Sequence, residues 1–433
     1  MWSQNWEATS DKRYQGAVNG AFLPSYSLGA DMANKDLKWE TTITRNIGVD
    51  FGFFNSRLTG TIDAYWNTTK DLLMKTAIPG ITGFTSTYAN VGQTSNKGIE
   101  IALQGVLVKT RDWNVTAGFN INFNRGKVDK LADNVTGLYG TEWATSSTFP
   151  KSDYVLKEGR PVGLVRGLTA DGFYTTDDFT YANGVYTLKE GVADVSSAVF
   201  PNYHLHNGMN ERPAGQLAYP GMAKFKDLND DGIINDDDVD VIGDMTPVHT
   251  GGFNINATYK NFDLGLYFNW SYGNEIYNVN KLAALYGYKE GAVYENKLSI
   301  VKDCYKIYDV VNGELVALTT PEQLNAANAN AKLPLAYSEN GYVSTLGIED
   351  GSYLRLNTLT LGYTLPKSML QKAGISNLRV YGSIYNVFTI TGYSGIDAEV
   401  STSTSTKTYP QLGMDWGTYP RARSFVLGVN LSF

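Results

Sequence analysis

The chain reads as all-β, and as part of an antiparallel transmembrane β-barrel. Three observations carry that expectation. Apolar and polar residues alternate strictly in many separate segments. The composition has 29 Tyr, 18 Phe, 8 Trp and 44 Gly but only 18% charged residues, which fits pleated surfaces and turns. The links between alternating segments are short and long by turns, the layout of a barrel with tight turns on one side and extended loops on the other.

The segments follow in order. TITRNIGVDFGF puts Ile43, Ile47, Val49, Phe51 and Phe53 on one face. RLTGTIDAYW does the same with Leu58, Ile62, Ala64 and Trp66, and GIEIALQG is a third strand. WNVTAGFNINFNRG is the clearest: Trp113, Val115, Ala117, Phe119, Ile121 and Phe123 share one face. Asn114, Thr116, Gly118, Asn120, Asn122 and Asn124 share the other. A period of two over this length is a strand with one apolar and one polar side. GGFNINATY and FDLGLYFNWS repeat it, the latter through Phe262, Leu264, Leu266, Phe268 and Trp270. LNTLTLGYTL, LRVYGSIYNVF and SFVLGVNLSF complete a set of nine, and YQGAVNGAFLPSYS is a weak further candidate.

The links FNS (Phe54 to Ser56), KTRD (Lys109 to Asp112) and KN (Lys260, Asn261) are tight hairpins. The intervals Trp66 to Gly98, Arg125 to Thr250 and Ser271 to Leu354 are long. Compact soluble domains rarely carry such loops. A secreted β-sandwich would also alternate, and a calcium-stabilised sandwich that binds carbohydrate is the alternative. Two features weigh against it. The strands run long for a sandwich, and Trp39, Phe53, Phe54, Trp66, Trp113, Phe123, Tyr259 and Trp270 sit near strand ends, where interfacial girdles belong.

A segmentation follows. Residues 1–36 form an extracellular loop or weak strand, and 37–125 the first four barrel strands. Residues 126–249 are a long extracellular region, 250–272 a hairpin, 273–353 a second long loop, and 354–433 the last three strands. An antiparallel barrel cannot close on nine strands, so the chain is expected to be the C-terminal part of a larger protein.

Other classes are disfavoured. A net charge of -7 argues against nucleic acid. The one cysteine, Cys304, allows no internal disulfide. MWSQNWEATSDKRYQ has no basic stretch followed by an apolar core, so no signal peptide is expected. No apolar run is long enough for a membrane helix, which leaves barrel strands untouched. H-E-x-x-H, G-x-S-x-G, P-loop and C-x-x-C motifs do not occur, and the chain is not expected to be an enzyme.

Five stretches together resemble the SusC/RagA family of TonB-dependent outer-membrane transporters of the Bacteroidetes. They are LKWETTITRNIGVDFGFFNSRLTGTIDAYWNTTKDLL, IPGITGFTSTYANVGQTSNKGIEIAL, KFKDLNDDGIINDDDVDVIGDMTPVHTGGFNINATYKNFDL, EDGSYLRLNTLTLGYTLP and YPRARSFVLGVNLSF, spanning Leu37 to Phe433. The resemblance implies a plugged barrel of about 22 strands in the cell outer membrane, bathed by the lipid bilayer. It implies import of glycans or peptides with a SusD-like lipoprotein, and a TonB complex acting through an N-terminal plug absent from these residues. The terminal Phe433 resembles the family's outer-membrane assembly signal.

DLNDDGIINDDDVD, Asp227 to Asp240, is the one explicit chemical motif. Asp227, Asn229, Asp231, Gly232 and Asp238 match the calcium template at loop positions 1, 3, 5, 6 and 12, with the Ile233 carbonyl at position 7. Hard cations take several oxygens, and Gly232 permits the turn that converges them. Pro220, Gly221, Gly243 and Pro247 flank it, so no two-helix calcium sensor is expected. A structural calcium or magnesium ion pinning an extracellular loop is. HLH (His204, His206) lacks a third ligand and reads as surface histidines. Phe84, Tyr88, Tyr174, Tyr181 and Tyr203 either stack on sugar rings or pack loop on loop. The row Asn114, Asn120, Asn122, Asn124 suits a wet lumen or a plug, and names no substrate.

Overall fold

The computed structural model describes residues 6–9, 17–18, 21–22, 25–29, 31–132, 135–200, 211–285, 297–336, 341–370, 374–402 and 411–433. Nine long strands dominate them: β1 (Thr41–Phe53), β2 (Leu58–Ala77), β3 (Ser86–Lys109), β4 (Trp113–Lys130), β5 (His249–Tyr259), β6 (Phe262–Tyr272), β7 (Tyr353–Thr364), β8 (Asn377–Thr391) and β9 (Ser424–Ser432). They lie side by side in chain order from β1 to β9 in one sheet. Neighbours pair antiparallel, as in β1/β2 (Phe53↔Leu58 to Thr41↔Lys70) and β5/β6 (Tyr259↔Phe262 to His249↔Tyr272).

The tight hairpins follow from backbone chemistry. Phe54, Asn55 and Ser56 all take positive φ, and the Arg57 N–H donates to the Phe54 carbonyl at 3.3 Å. Between β3 and β4 the Thr110 N–H donates to the Trp113 carbonyl at 2.8 Å. Lys260 turns β5 into β6 at φ 51. Positive φ reverses the chain with the hand that twisted strands need.

One expectation is corrected. Trp66 to Gly98 is not a long loop. β2 continues to Ala77 and β3 begins at Ser86, so these strands are 20 and 24 residues long. Residues 78–85 alone connect them, through a single turn at Gly80–Thr82. The tenth member of the sheet is the short strand Asp31–Met32, parallel to Ser86–Thr87. The segment around YQGAVNGAFLPSYS supplies no wall strand among the described residues: Ala17–Val18 pairs Ala21–Phe22, and Ser25–Leu28 pairs Trp6–Thr9.

The chain divides into two compact units, one of residues 1–103, 122–138 and 156–162, the other of residues 104–121, 139–155 and 163–433. In the first, β1 and β2 expose Ile47, Val49, Ile62 and Trp66 on their apolar side. On the polar side Tyr65 lies flat over Gly98, where any Cβ would collide with its ring, and donates to Asn124 Oδ1 at 3.0 Å. In the second, β9 exposes Phe425, Leu427 (89% exposed), Val429 and Leu431, while Tyr381 covers Gly428 on the opposite face. Asn114 and Asn120 on the polar side are exposed as well.

The second unit also holds a separate hydrophobic core, drawn from the connections after β4 and β6. Tyr154, Leu168, Tyr174, Tyr186, Tyr219, Tyr277, Leu282 and Leu324 are buried in it, joined by Met414 from the connection after β8. The described parts of the long connections are therefore folded. The four-stranded sheet built from Leu138–Gly140, Tyr154–Leu156, Leu164–Leu168 and Val239–Asp244 is one of their parts. No helix of the described residues is long and apolar enough to cross a membrane.

Candidate functional site

The acidic motif forms a closed loop between two strands of this folded body. The strand Ala223–Phe225 leads in, paired with Ala170–Phe173, and Val239–Asp244 leads out, paired with Leu164–Leu168. Asp227 Oδ2 accepts the Gly232 N–H at 2.7 Å and Oδ1 the Asp231 N–H at 3.3 Å. Asn229 Oδ1 accepts the same Asp231 N–H at 3.2 Å, and its Nδ2 donates to Asp231 Oδ2 at 2.9 Å. Asp231 Oδ1 accepts the Ile233 N–H at 2.9 Å. Asp230 (φ 59) and Gly232 (φ 84) turn the chain. Short acidic side chains satisfying nearby backbone N–H groups are how such turns hold shape.

Asp238 stands apart from those three. It is fully buried, and its two oxygens accept the Leu228 and Asn235 N–H groups at 2.7 and 2.8 Å. It thus ties the entry of the loop to the exit. Ile233–Ile234 runs parallel to Asp194–Val195, and the Ile233 carbonyl accepts from Asn235 Nδ2 at 3.1 Å. The donor set is all oxygen, as calcium and magnesium require. The fit is partial: Asp227, Asn229 and Asp231 share one turn, while Asp238 is engaged elsewhere. Among the described residues no group of three or more His, Cys, Asp or Glu side chains is arranged to hold a metal ion.

The other sequence candidates scatter. Tyr174 is a core residue, its hydroxyl donating to the Ala193 carbonyl at 2.6 Å. Tyr181 packs on Tyr186 with centroids 4.6 Å apart. Tyr88 lies in β3, its carbonyl accepting from Asn34, and Phe84 is half-buried just before that strand. His204, His206 and Tyr203 fall outside the described residues.

Two polar clusters escaped the sequence reading. Asp153, fully buried, accepts the Glu142, Trp143 and Ala144 N–H groups at 2.8 to 3.0 Å. Burial raises its pKa despite those bonds. Arg355, 3% exposed on β7, meets Asp397 at 2.5 Å and Glu399 at 3.1 Å, and Arg421 meets the same two carboxylates at 3.2 and 2.7 Å. This four-charge knot ties β7 to the connection after β8. The only signal for it was a charge inside the apolar run YLRLNTLTL.

Residues 2–387 match the family described as "TonB dependent receptor-like, beta-barrel". The chain belongs to that family. This TonB-dependent receptor barrel is 30% identical over 421 residues to TonB-dependent receptor P3 of Formosa agariphila, covering 96% of this chain and 36% of that protein. It is 29% identical over 408 residues to TonB-dependent receptor SusC of Bacteroides thetaiotaomicron, covering 92% and 32%. The solved structure of the RagAB peptide transporter shares its fold, with TM-score 0.68 and 24% identity over 100% of this chain and 38% of that one. The chain spans about a third of the length of these relatives. TonB-dependent receptor barrels are outer-membrane proteins and not enzymes, so the exposed apolar face faces lipid.

Proposed function

We propose that the protein carrying this chain imports glycans or peptides across the outer membrane, driven by TonB and assisted outside by a lipoprotein of the SusD kind. The observation that carries the reading is a sheet exposed on both sides, one apolar and one polar. Such a wall suits lipid on one face and a wet or plugged lumen on the other. Likeness to SusC and to a peptide transporter supports the direction of traffic. In this reading residues 131–248, 273–352 and 392–423 lie outside the cell, and residues 54–57, 110–112, 260–261 and 365–376 face the periplasm. No covalent step is involved.

A gene deletion tests it. Growth on at least one class, a polysaccharide or a protein digest, should fail and return when the full-length gene is restored. Unchanged growth and uptake on both classes would overturn it. Co-purification in detergent should bring down an outer-membrane lipoprotein.

The same reading includes a structural calcium or magnesium ion in the acidic loop, supported by the all-oxygen donors of Asp227, Asn229 and Asp231 and the Ile233 carbonyl. A carboxylate has about four lone-pair positions, so Asp238 retains acceptor capacity beside its two N–H bonds.

A further inference from the structure

A cleft of about 450 Å3 opens in the folded body beside the acidic loop, and none of the residues discussed above accounts for it. Its lining includes Ser147, Thr148, Lys151, Ser152, Arg166 and Ser197. The volume lies within the range of small-molecule sites. Its floor is rigid: Phe149 and Val199 line it and are themselves buried in the hydrophobic core. Its wall is rigid too, because the Arg166 N–H donates to the Asp153 carbonyl at 2.9 Å while the Asp153 side chain pins residues 142–144.

Arg166 is the chemical feature of this cleft. One NH1 donor reaches Ser152 Oγ at 2.8 Å, and the guanidinium lies 4.8 Å from the Tyr139 ring centroid. A guanidinium has five N–H donors in a planar fork, and among the described residues that is its one side-chain hydrogen bond. Asp236 lines the same cleft without an ion pair to Arg166 among the described residues. Lys151 and Arg166 against Asp236 leave the cleft positive, in a chain whose net charge is -7. Burial disfavours the charge of Arg166, opposed by Tyr139 and Asp236; an anion bound there would be favoured in turn.

We propose that this cleft binds a carboxylate-bearing solute, with the Arg166 fork holding the carboxylate and the Ser147, Ser152 and Ser197 hydroxyls holding the polar groups beside it. A planar fork matches two carboxylate oxygens at once. The carboxylate comes either from an acidic sugar or from a peptide C-terminus. That the bound solute is cargo rests on the import reading above; the binding itself does not.

The test reads binding alone, by calorimetry on the full-length protein in detergent. The probes are trigalacturonate with its neutral trigalactose counterpart, and a Ser-Gly-Ser-Gly-Ala peptide with its C-terminal amide. One acid should bind, its neutral counterpart being weaker by roughly tenfold or more; which acid binds names the source. R166Q should weaken that acid by a similar factor. S197W, which fills the cleft from an exposed position, should block it while circular dichroism stays unchanged. Failure of both acids to bind, equal binding of a neutral counterpart, or unchanged affinity in a folded R166Q or S197W protein would overturn the site. Undiminished uptake of the bound acid by a folded R166Q protein that no longer binds it would overturn the cargo assignment alone.

Discussion

At the scale of single residues, paired charges tie the connections to the wall. Arg355 and Asp397 are both nearly buried, and removing one partner of such a pair strands the other charge. R355A should cost about 3–5 kcal/mol and appear as a lowered unfolding temperature in detergent, with early cleavage between residues 392 and 402. Two loop carboxylates carry a pH signature. Burial opposes the charge of Glu349, but the Ser394 hydroxyl and N–H and the Lys281 ammonium outweigh it and lower its pKa. At Asp178 burial is likewise outweighed, by Lys224 and Thr175. Depressed carboxylate pKa values add stability that is complete above the ordinary value, 4.5 for Glu349, and is lost as pH falls through the folded value. Proteolysis of the long connections should accelerate as pH drops below that value, and less steeply in E349Q. For the acidic loop, chelation or D227A/D231A should speed cleavage between residues 227 and 240; unchanged protection would remove the cation. D238A leaves two N–H groups unpaired and should open the loop by about 1–3 kcal/mol even with calcium present.

At the scale of elements, the period of two was legible wherever one face meets lipid. Ile47, Ile62, Trp113 and Leu427 mark that face in both sequence and structure. It failed at the far ends of β2 and β3. There WNTTKDLLMKTA and STYANVGQTSN hold their strands by backbone pairing, and no apolar face writes an alternation into them. The folded connections were less legible still. Their strands run two to six residues, as in Thr148–Phe149 and Val239–Asp244, too short to display a period. Their core pairs distant residues: Tyr154 donates to the Leu412 carbonyl across 258 positions. The acidic loop was readable because its donors are local, whereas the Arg355 knot and the Arg166 cleft are assembled from remote segments. An element-scale substitution follows. L427R on the lipid face of β9 should cost about 2–4 kcal/mol near mid-membrane and lower the amount of folded protein in outer-membrane fractions. N120R on the polar face of β4 should leave that amount unchanged.

At the scale of the whole molecule, the wall has no interior of its own. Its apolar side needs lipid or detergent, so a protein purified without either should aggregate, and a soluble monodisperse preparation would contradict the barrel assignment. The folded body poses a problem of timing. Met414 sits in its core and Leu412 accepts from Tyr154, so residues from the last connection help close a core begun much earlier in the chain. Widely separated contacts form slowly, because the intervening chain must first be brought together. In the topology proposed above, residues 139–200 reach the cell surface before their core can be completed. In that topology the body stays open until β8 and the segment after it are delivered, and the arrival of Leu412 and Met414 sets the moment at which its surface becomes solid.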